Sequence, residues 1–244
     1  MRVEIWSDIA CPWCYVGKAR FEKALAAFPH RGDVEVVHRS FELDPGRAKG
    51  DAQPVITMLT RKYGMSEAQA QAGEDNLGAQ AAAEGLDYRT RGRDHGNTFD
   101  MHRLLHLAKE RGRQSELLQA LYRANFAEER SVFTEGDERL VELAVEAGLD
   151  ADEVRAVLAD PTAYADEVRA DEAEAAQLGI SGVPFVVIDR KYGVSGAQPD
   201  EVFTQALNQA WGEQTVLRLF EEGGDGGDGG AEACGPDGCA VPKS

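Results

Sequence analysis

Four cysteines occur in the 244 residues, in two close pairs, Cys11/Cys14 and Cys234/Cys239. The first pair reads Cys11-Pro12-Trp13-Cys14 and stands between a run of strand formers and a helical pattern. A thiol at the mouth of a helix meets backbone N–H groups that no helical carbonyl satisfies, and their partial positive charge favours thiolate over thiol. Cys11 is therefore the expected nucleophile. Cys14, one turn into the helix, is expected to be more buried and to resolve the mixed disulfide that Cys11 forms. Pro12 fits the first turn, where its missing N–H leaves nothing unsatisfied. Trp13 adds apolar surface without an imidazole's charge, which predicts a less oxidising pair than one with histidine between the cysteines.

The second pair closes a tight turn, Cys234-Gly235-Pro236-Asp237-Gly238-Cys239, behind an acidic Gly-rich stretch. It reads as a secondary redox pair on an arm. From Phe220 to Cys234 a Gly-rich chain spans roughly 20 Å on average, enough to sweep the surface of its own domain. Cysteines of a tail that oxidise adventitiously or scavenge metal are the alternative. Zinc competes for paired cysteines generally, but compact knuckles would favour it, and the spacing here widens from C-x2-C to C-x4-C behind a linker. His102 and His106 lie one helical turn apart, a spacing that chelates metals, yet no Glu or Cys accompanies them in a metalloprotease arrangement. Neither a metal nor a cofactor is expected.

The periodicities outline the elements that must hold these residues. Arg2 to Trp6 alternates Val3 and Ile5 with Arg2, Glu4 and Trp6, which predicts a strand. A helix is predicted from about Pro12 to Phe28, with Phe21, Leu25 and Phe28 at helical spacing and Pro29 as its stop. Val34 to Phe41 reads as a second strand, so the chain opens β-α-β. From Val55 to Leu178 the texture turns to Ala, Glu, Gln, Leu and Arg at helical spacing, broken by Gly64, Gly85, Gly112, Gly148 and Pro161. Strand character returns at Val183 to Ile188, with Lys191 to Gly196 as a hairpin partner. A last amphipathic helix runs from near Pro199 toward Leu219. The whole reads as an α/β fold interrupted by a large all-helical insertion. Residues 1–54 and 179–220 make its two halves, 55–178 the insertion, and 221–244 a flexible acidic arm.

Composition narrows the function classes. A hydrophobic fraction of 43% and a charged fraction of 28% are those of an ordinary globular protein. No apolar run approaches the ~20 residues needed to cross a bilayer, so no membrane partner is expected. A formal charge of −17 repels phosphate backbones, which argues against nucleic acid. The opening Met1-Arg2-Val3-Glu4-Ile5-Trp6 reaches Ser7-Asp8 without an apolar leader, which predicts a cytoplasmic protein. Paired cysteines there are seldom staples, so redox or metal chemistry leads.

The segment Ile5-Trp6-Ser7-Asp8-Ile9-Ala10-Cys11-Pro12-Trp13-Cys14-Tyr15-Val16-Gly17-Lys18 resembles the opening of the FrnE-like branch of the DsbA family. Arg39 to Leu43, Asn97 to Leu104, and Gly179 to Phe185 with Val194 to Pro199 resemble the same branch, in order, from residue 3 to about 210. The resemblance implies a thioredoxin fold split by a helical domain, with disulfide exchange or isomerisation as the activity. Protein or peptide thiols and disulfides would be the partners, with glutathione or a thioredoxin-type reductant as a further one. It also implies that Pro184 is cis beside the cysteines and that the Val183 backbone pairs with the substrate strand. His102 would lie on a helix facing the active-site groove, in a binding or structural role. Trp13, Trp6 and Tyr15 are candidates for a peptide-binding surface, although Trp6 reads better as core. Glutathione-dependent isomerases and transferases share this architecture but usually carry serine at the position of Cys11, so two cysteines argue against that use. A redox-regulated chaperone is the third reading, and it would keep its activity after Cys11→Ser.

Overall fold

The computed structural model describes residues 1–221, with side chains through Glu213; Cys234 and Cys239 lie outside the described residues. Strand β1 (Arg2–Ser7) is buried at every position but the first, because both of its faces are covered. Val3 and Ile5 face a cluster with Phe21, Phe28, Val186, Phe203 and Leu207, whereas Trp6 faces Ala175, Ile180 and Val187. Helix α1 (Pro12–Ala27) then crosses to β2 (Glu35–Ser40), which pairs in parallel with β1. This is the β-α-β opening that the alternation and the Pro12 and Pro29 signals predict.

Next come β3 (Gln53–Pro54), α2 (Val55–Tyr63), α3 (Glu67–Ala83) and β4 (Asp94–His95), and β4 pairs back onto β3. β3 stands just before the stretch read as helical throughout and β4 lies within it; two-residue strands leave no period for a sequence to show. Five helices follow: α4 (Phe99–Glu110), α5 (Gln114–Phe126), α6 (Asp137–Glu146), α7 (Ala151–Ala159) and α8 (Ala165–Gln177). Gly64, Gly85, Gly112 and Gly148 stop α2, α3, α4 and α6 with φ of 67, 74, 66 and 93°, a left-handed turn that glycine adopts without a Cβ clash. Leu104, Leu117, Leu121, Tyr122 and Phe126 form the centre of the helical core, and Ile9, Cys11, Cys14 and Tyr15 belong to the same cluster. The cysteines thus sit on the seam between sheet and helices.

Strand β5 (Phe185–Ile188) pairs antiparallel with β1, and β6 (Tyr192–Ser195) with β5, giving the order β2-β1-β5-β6. Between Ile188 and its partner Tyr192 the chain turns through Asp189 and Arg190 at φ of 47 and 58°, and Lys191 N–H closes the turn on the Ile188 carbonyl at 3.0 Å. Helix α9 (Asp200–Glu221) packs on α1. No helix among the described residues is long and apolar enough to cross a membrane.

Helix α8 is fastened to the sheet by Asp171. Its carboxylate accepts from Arg39 Nη1 at 2.7 Å and Ser40 N at 2.9 Å and meets His106 Nε2 at 3.3 Å, while its carbonyl accepts from Trp6 Nε1 at 2.9 Å. Burial alone would raise the Asp171 pKa, but these donors hold it below the usual carboxylate value. Both His106 and Trp6 are therefore packed groups of the interior.

Candidate active site

Cys11 occupies the position just before α1, with extended backbone (φ −88°, ψ 111°), and Pro12 opens the helix. Cys11 N–H donates to the Asp8 carbonyl at 3.1 Å, and the Cys11 carbonyl accepts from Cys14 N–H at 3.0 Å. The chain therefore turns at Asp8 and enters the helix at Cys11, which puts that residue at the N-terminal end of α1, although its side chain makes no capping hydrogen bond. Both cysteines are free thiols, Cys11 5% exposed and Cys14 1% exposed. Burial, then the hydrogen bond and charge of Cys11, push the Cys14 thiol well above its ordinary value, and the Asp8 carboxylate adds to the rise. These effects favour the protonated thiol at Cys14.

Across from α1, the Val183–Pro184 peptide is cis, and Cys11 Sγ lies 3.6 Å from the Val183 carbonyl. Gly17 makes this approach possible. A Cβ there would stand 3.0 Å from Pro184 Cγ and 3.3 Å from Ala197 Cα and Cβ. Any larger residue at position 17 would press against Pro184 and Ala197.

Cys11 and Val183 open into a groove of about 380 Å³ whose apolar wall includes Trp13, Leu43, Met58 and Leu77. Trp13, 39% exposed, stands at its mouth. Behind the groove Arg93 pairs with buried Glu74, and its guanidinium lies 4.8 Å from the Tyr88 ring and 5.0 Å from the Phe126 ring. That cation is already neutralised. Lys62 Nζ, at the rim, donates to the Leu43 carbonyl at 3.3 Å.

Of the residues singled out in the sequence, Cys11, Cys14, Trp13, Val183 and Pro184 come together here. His102 does not reach the groove surface. It is 1% exposed, and its Nε2 stands 3.3 Å from Asp8 Oδ1, so its contact with the site is that carboxylate. Trp6 and Tyr15 are buried. The groove wall from α2 and α3, and Asp8 itself, escaped the sequence reading. Asp8 had one signal, a carboxylate three residues ahead of the first cysteine of the pair.

Residues 2–208 match the DSBA-like thioredoxin domain. A probable DsbA oxidoreductase from Streptomyces coelicolor is 79% identical, covers 100% of both chains and superposes with a TM-score of 0.85. A protein of Bacillus subtilis (strain 168), the uncharacterized YwbO, is 28% identical over 85% of this chain and 96% of its own. A cytosolic disulfide reductase from Pseudomonas aeruginosa, DsbM, shares the fold at 19% identity and a TM-score of 0.55, over 90% of this chain and 100% of its own. With its sheet order, its cis proline and its paired cysteines at a helix mouth, the chain belongs to the DSBA-like thioredoxin domain family of thiol–disulfide oxidoreductases.

Proposed function

We propose that the chain exchanges disulfides with protein or peptide substrates through Cys11 as nucleophile and Cys14 as resolving thiol, as a cytoplasmic enzyme of the FrnE-like branch. The observation that carries this reading is the placement of the two sulfurs. One stands at a helix N-terminus beside the Val183 carbonyl and opens to a groove; the other is sealed behind it. As a reductant, Cys11 thiolate attacks a substrate sulfur and one substrate thiolate leaves. Cys14 then gives up its proton and attacks Cys11 Sγ, closing the Cys11–Cys14 bond and releasing the second substrate thiol. Isomerisation uses the first step and its reversal on a different substrate sulfur. Val183 and Pro184 are placed to receive an extended strand, Trp13 to cover its apolar side chains, and segment 55–178 serves as a helical domain that supplies the opposite wall. His102 supports that wall from within. DsbM has been described with GSH, which makes glutathione a candidate electron donor here. The Cys234/Cys239 pair would pass electrons to or from Cys11/Cys14.

Insulin reduction and refolding of a scrambled disulfide protein test the scheme. Cys11→Ser abolishes both activities, and Cys14→Ser accumulates mixed disulfides on Cys11. Retention of full activity by Cys11→Ser together with its loss in Cys14→Ser would reverse the assignment. For the second pair, mild oxidation of Cys14→Ser traps a Cys11–Cys234 or Cys11–Cys239 crosslink; its absence, with unchanged turnover in the doubly substituted Cys234→Ser/Cys239→Ser chain, removes the relay.

A further inference from the structure

The exchange steps leave one buried carboxylate–imidazole pair beside the thiols without a task. Asp8 is 1% exposed. Its Oδ1 accepts from Ala10 N at 3.3 Å and meets His102 Nε2 at 3.3 Å, and its Oδ2 accepts from Leu43 N at 2.7 Å. The Thr98 hydroxyl is a further donor. Burial pushes the Asp8 pKa up, but His102, Leu43 and Thr98 outweigh it and hold the carboxyl below its ordinary value. A negative charge is thereby fixed in the wall behind the cysteines. The same residue accepts the Cys11 N–H through its carbonyl and turns its own N–H to the Cys14 sulfur. Around the pair stand Glu42, held by Arg169 of α8, and the neutral phenol of Tyr122 on α5.

We propose that Asp8 and His102 together set the reduction potential of the Cys11/Cys14 pair. The carboxylate disfavours the thiolate that the reduced pair presents, which makes the pair more reducing, and the His102 hydrogen bond moderates that charge. Both are positioning residues, since neither touches the substrate. The inference rests on the reading of Cys11/Cys14 as a redox pair. The equilibrium that reports it is balanced as follows: the Cys11–Cys14 bond breaks, two glutathione thiols are oxidised to one glutathione disulfide, and their two electrons and two protons pass to the two cysteines.

The test is that equilibrium constant, measured on the full chain at pH 7 by trapping at fixed glutathione ratios. Asp8→Asn keeps the shape and removes the charge. It shifts the equilibrium toward the dithiol by about tenfold, which is ~30 mV for a two-electron couple. His102→Gln shifts it the other way by about threefold, because the carboxylate keeps its charge but loses a partner. In the Asp8→Asn background His102→Gln changes nothing, since there is no charge left to moderate; a merely structural histidine would act alike in both backgrounds. Thr98→Val, which removes only the hydroxyl donor, follows the direction of His102→Gln and serves should Asp8→Asn fail to fold. The proposal is overturned by an Asp8→Asn shift below twofold, by His102→Gln or Thr98→Val moving the equilibrium toward the dithiol, or by an undiminished His102→Gln effect in the double variant. A wild-type chain that never equilibrates with glutathione sinks the redox reading itself, a distinguishable result.

Discussion

Lowering the pH should unfold this protein partly through one histidine. His38 lies in β2, 7% exposed, and burial together with the Lys18 ammonium lowers its pKa from 6.5 to about 3. Its Nδ1 has no protein partner, and Lys18 is itself held by Glu22 at 2.6 Å and Gln119 at 3.0 Å. A histidine depressed on folding is neutral in both states above pH 6.5, so the full stability is present there. Below that value the unfolded chain takes up a proton that the folded chain refuses, and stability falls until the pH reaches about 3. At 1.36 kcal/mol per pH unit, the loss is about 2 kcal/mol at pH 5 and approaches about 5 kcal/mol near pH 3. His38→Gln removes this contribution while sparing the register, because Gln114 bonds to the backbone N–H and carbonyl of residue 38 rather than to its ring. Urea unfolding of both proteins at pH 7.5 and 5.0 isolates it, since all other carboxylates and histidines are shared. The wild type should lose about 2 kcal/mol more than the variant over that interval. Parallel losses, within about 0.5 kcal/mol, would show that the ring accepts a proton in the folded state and refute the argument.

Three substitutions probe other parts of the frame. Arg103 is fully buried, and its Nη1 donates to the carbonyls of Val157, Asp160 and Ala163 at 2.8, 2.7 and 2.9 Å. Arg103→Met should cost about 3–5 kcal/mol in urea unfolding, by leaving those carbonyls and Asp100 without their donor. Gly17→Val should cost about 1–3 kcal/mol and slow insulin reduction, because a side chain there displaces Pro184 and Ala197; unchanged turnover would mean that the loop yields without consequence. Trp13→Ala should leave stability within about 1 kcal/mol while raising KM for peptides with apolar residues beside the cysteine more than for glutathione, as stopped-flow traces with both can show.

Elements with a long period or a hard stop are legible in the sequence. Alternation marked β1, Pro12 and Pro29 bounded α1, and four glycines marked the ends of α2, α3, α4 and α6. What stayed hidden depends on partners distant in the chain. Glu4 reads as the solvent side of an alternating strand, yet it is buried because Arg39 and Arg190 close on it from β2 and the β5–β6 turn. Asp171 reads as one more charge on an acidic helix, and it became the residue that joins α8 to the sheet. A carboxylate's burial is decided by which guanidinium or N–H arrives, and periodicity carries no such information.

The same limit divides the site. The cysteines are legible because their signal is local: C-x-x-C at a strand-to-helix junction marks its first cysteine as the candidate nucleophile through the helix N-terminus. His102 was placed near the site by the resemblance, but not which way it faced, and a groove-lining histidine and a buried one have the same spacing on α4. The structure turns it inward onto Asp8, three residues from Cys11. That contact spans 94 positions of sequence and joins the helical segment to the loop that leads into Cys11. A substitution in the helical segment can therefore alter the chemistry of the thiols without touching the groove. Asp8, through its carbonyl to Cys11 N–H and its carboxylate to His102, joins the two by hydrogen bonds, beside the packing that Cys11 and Cys14 share with the helical core.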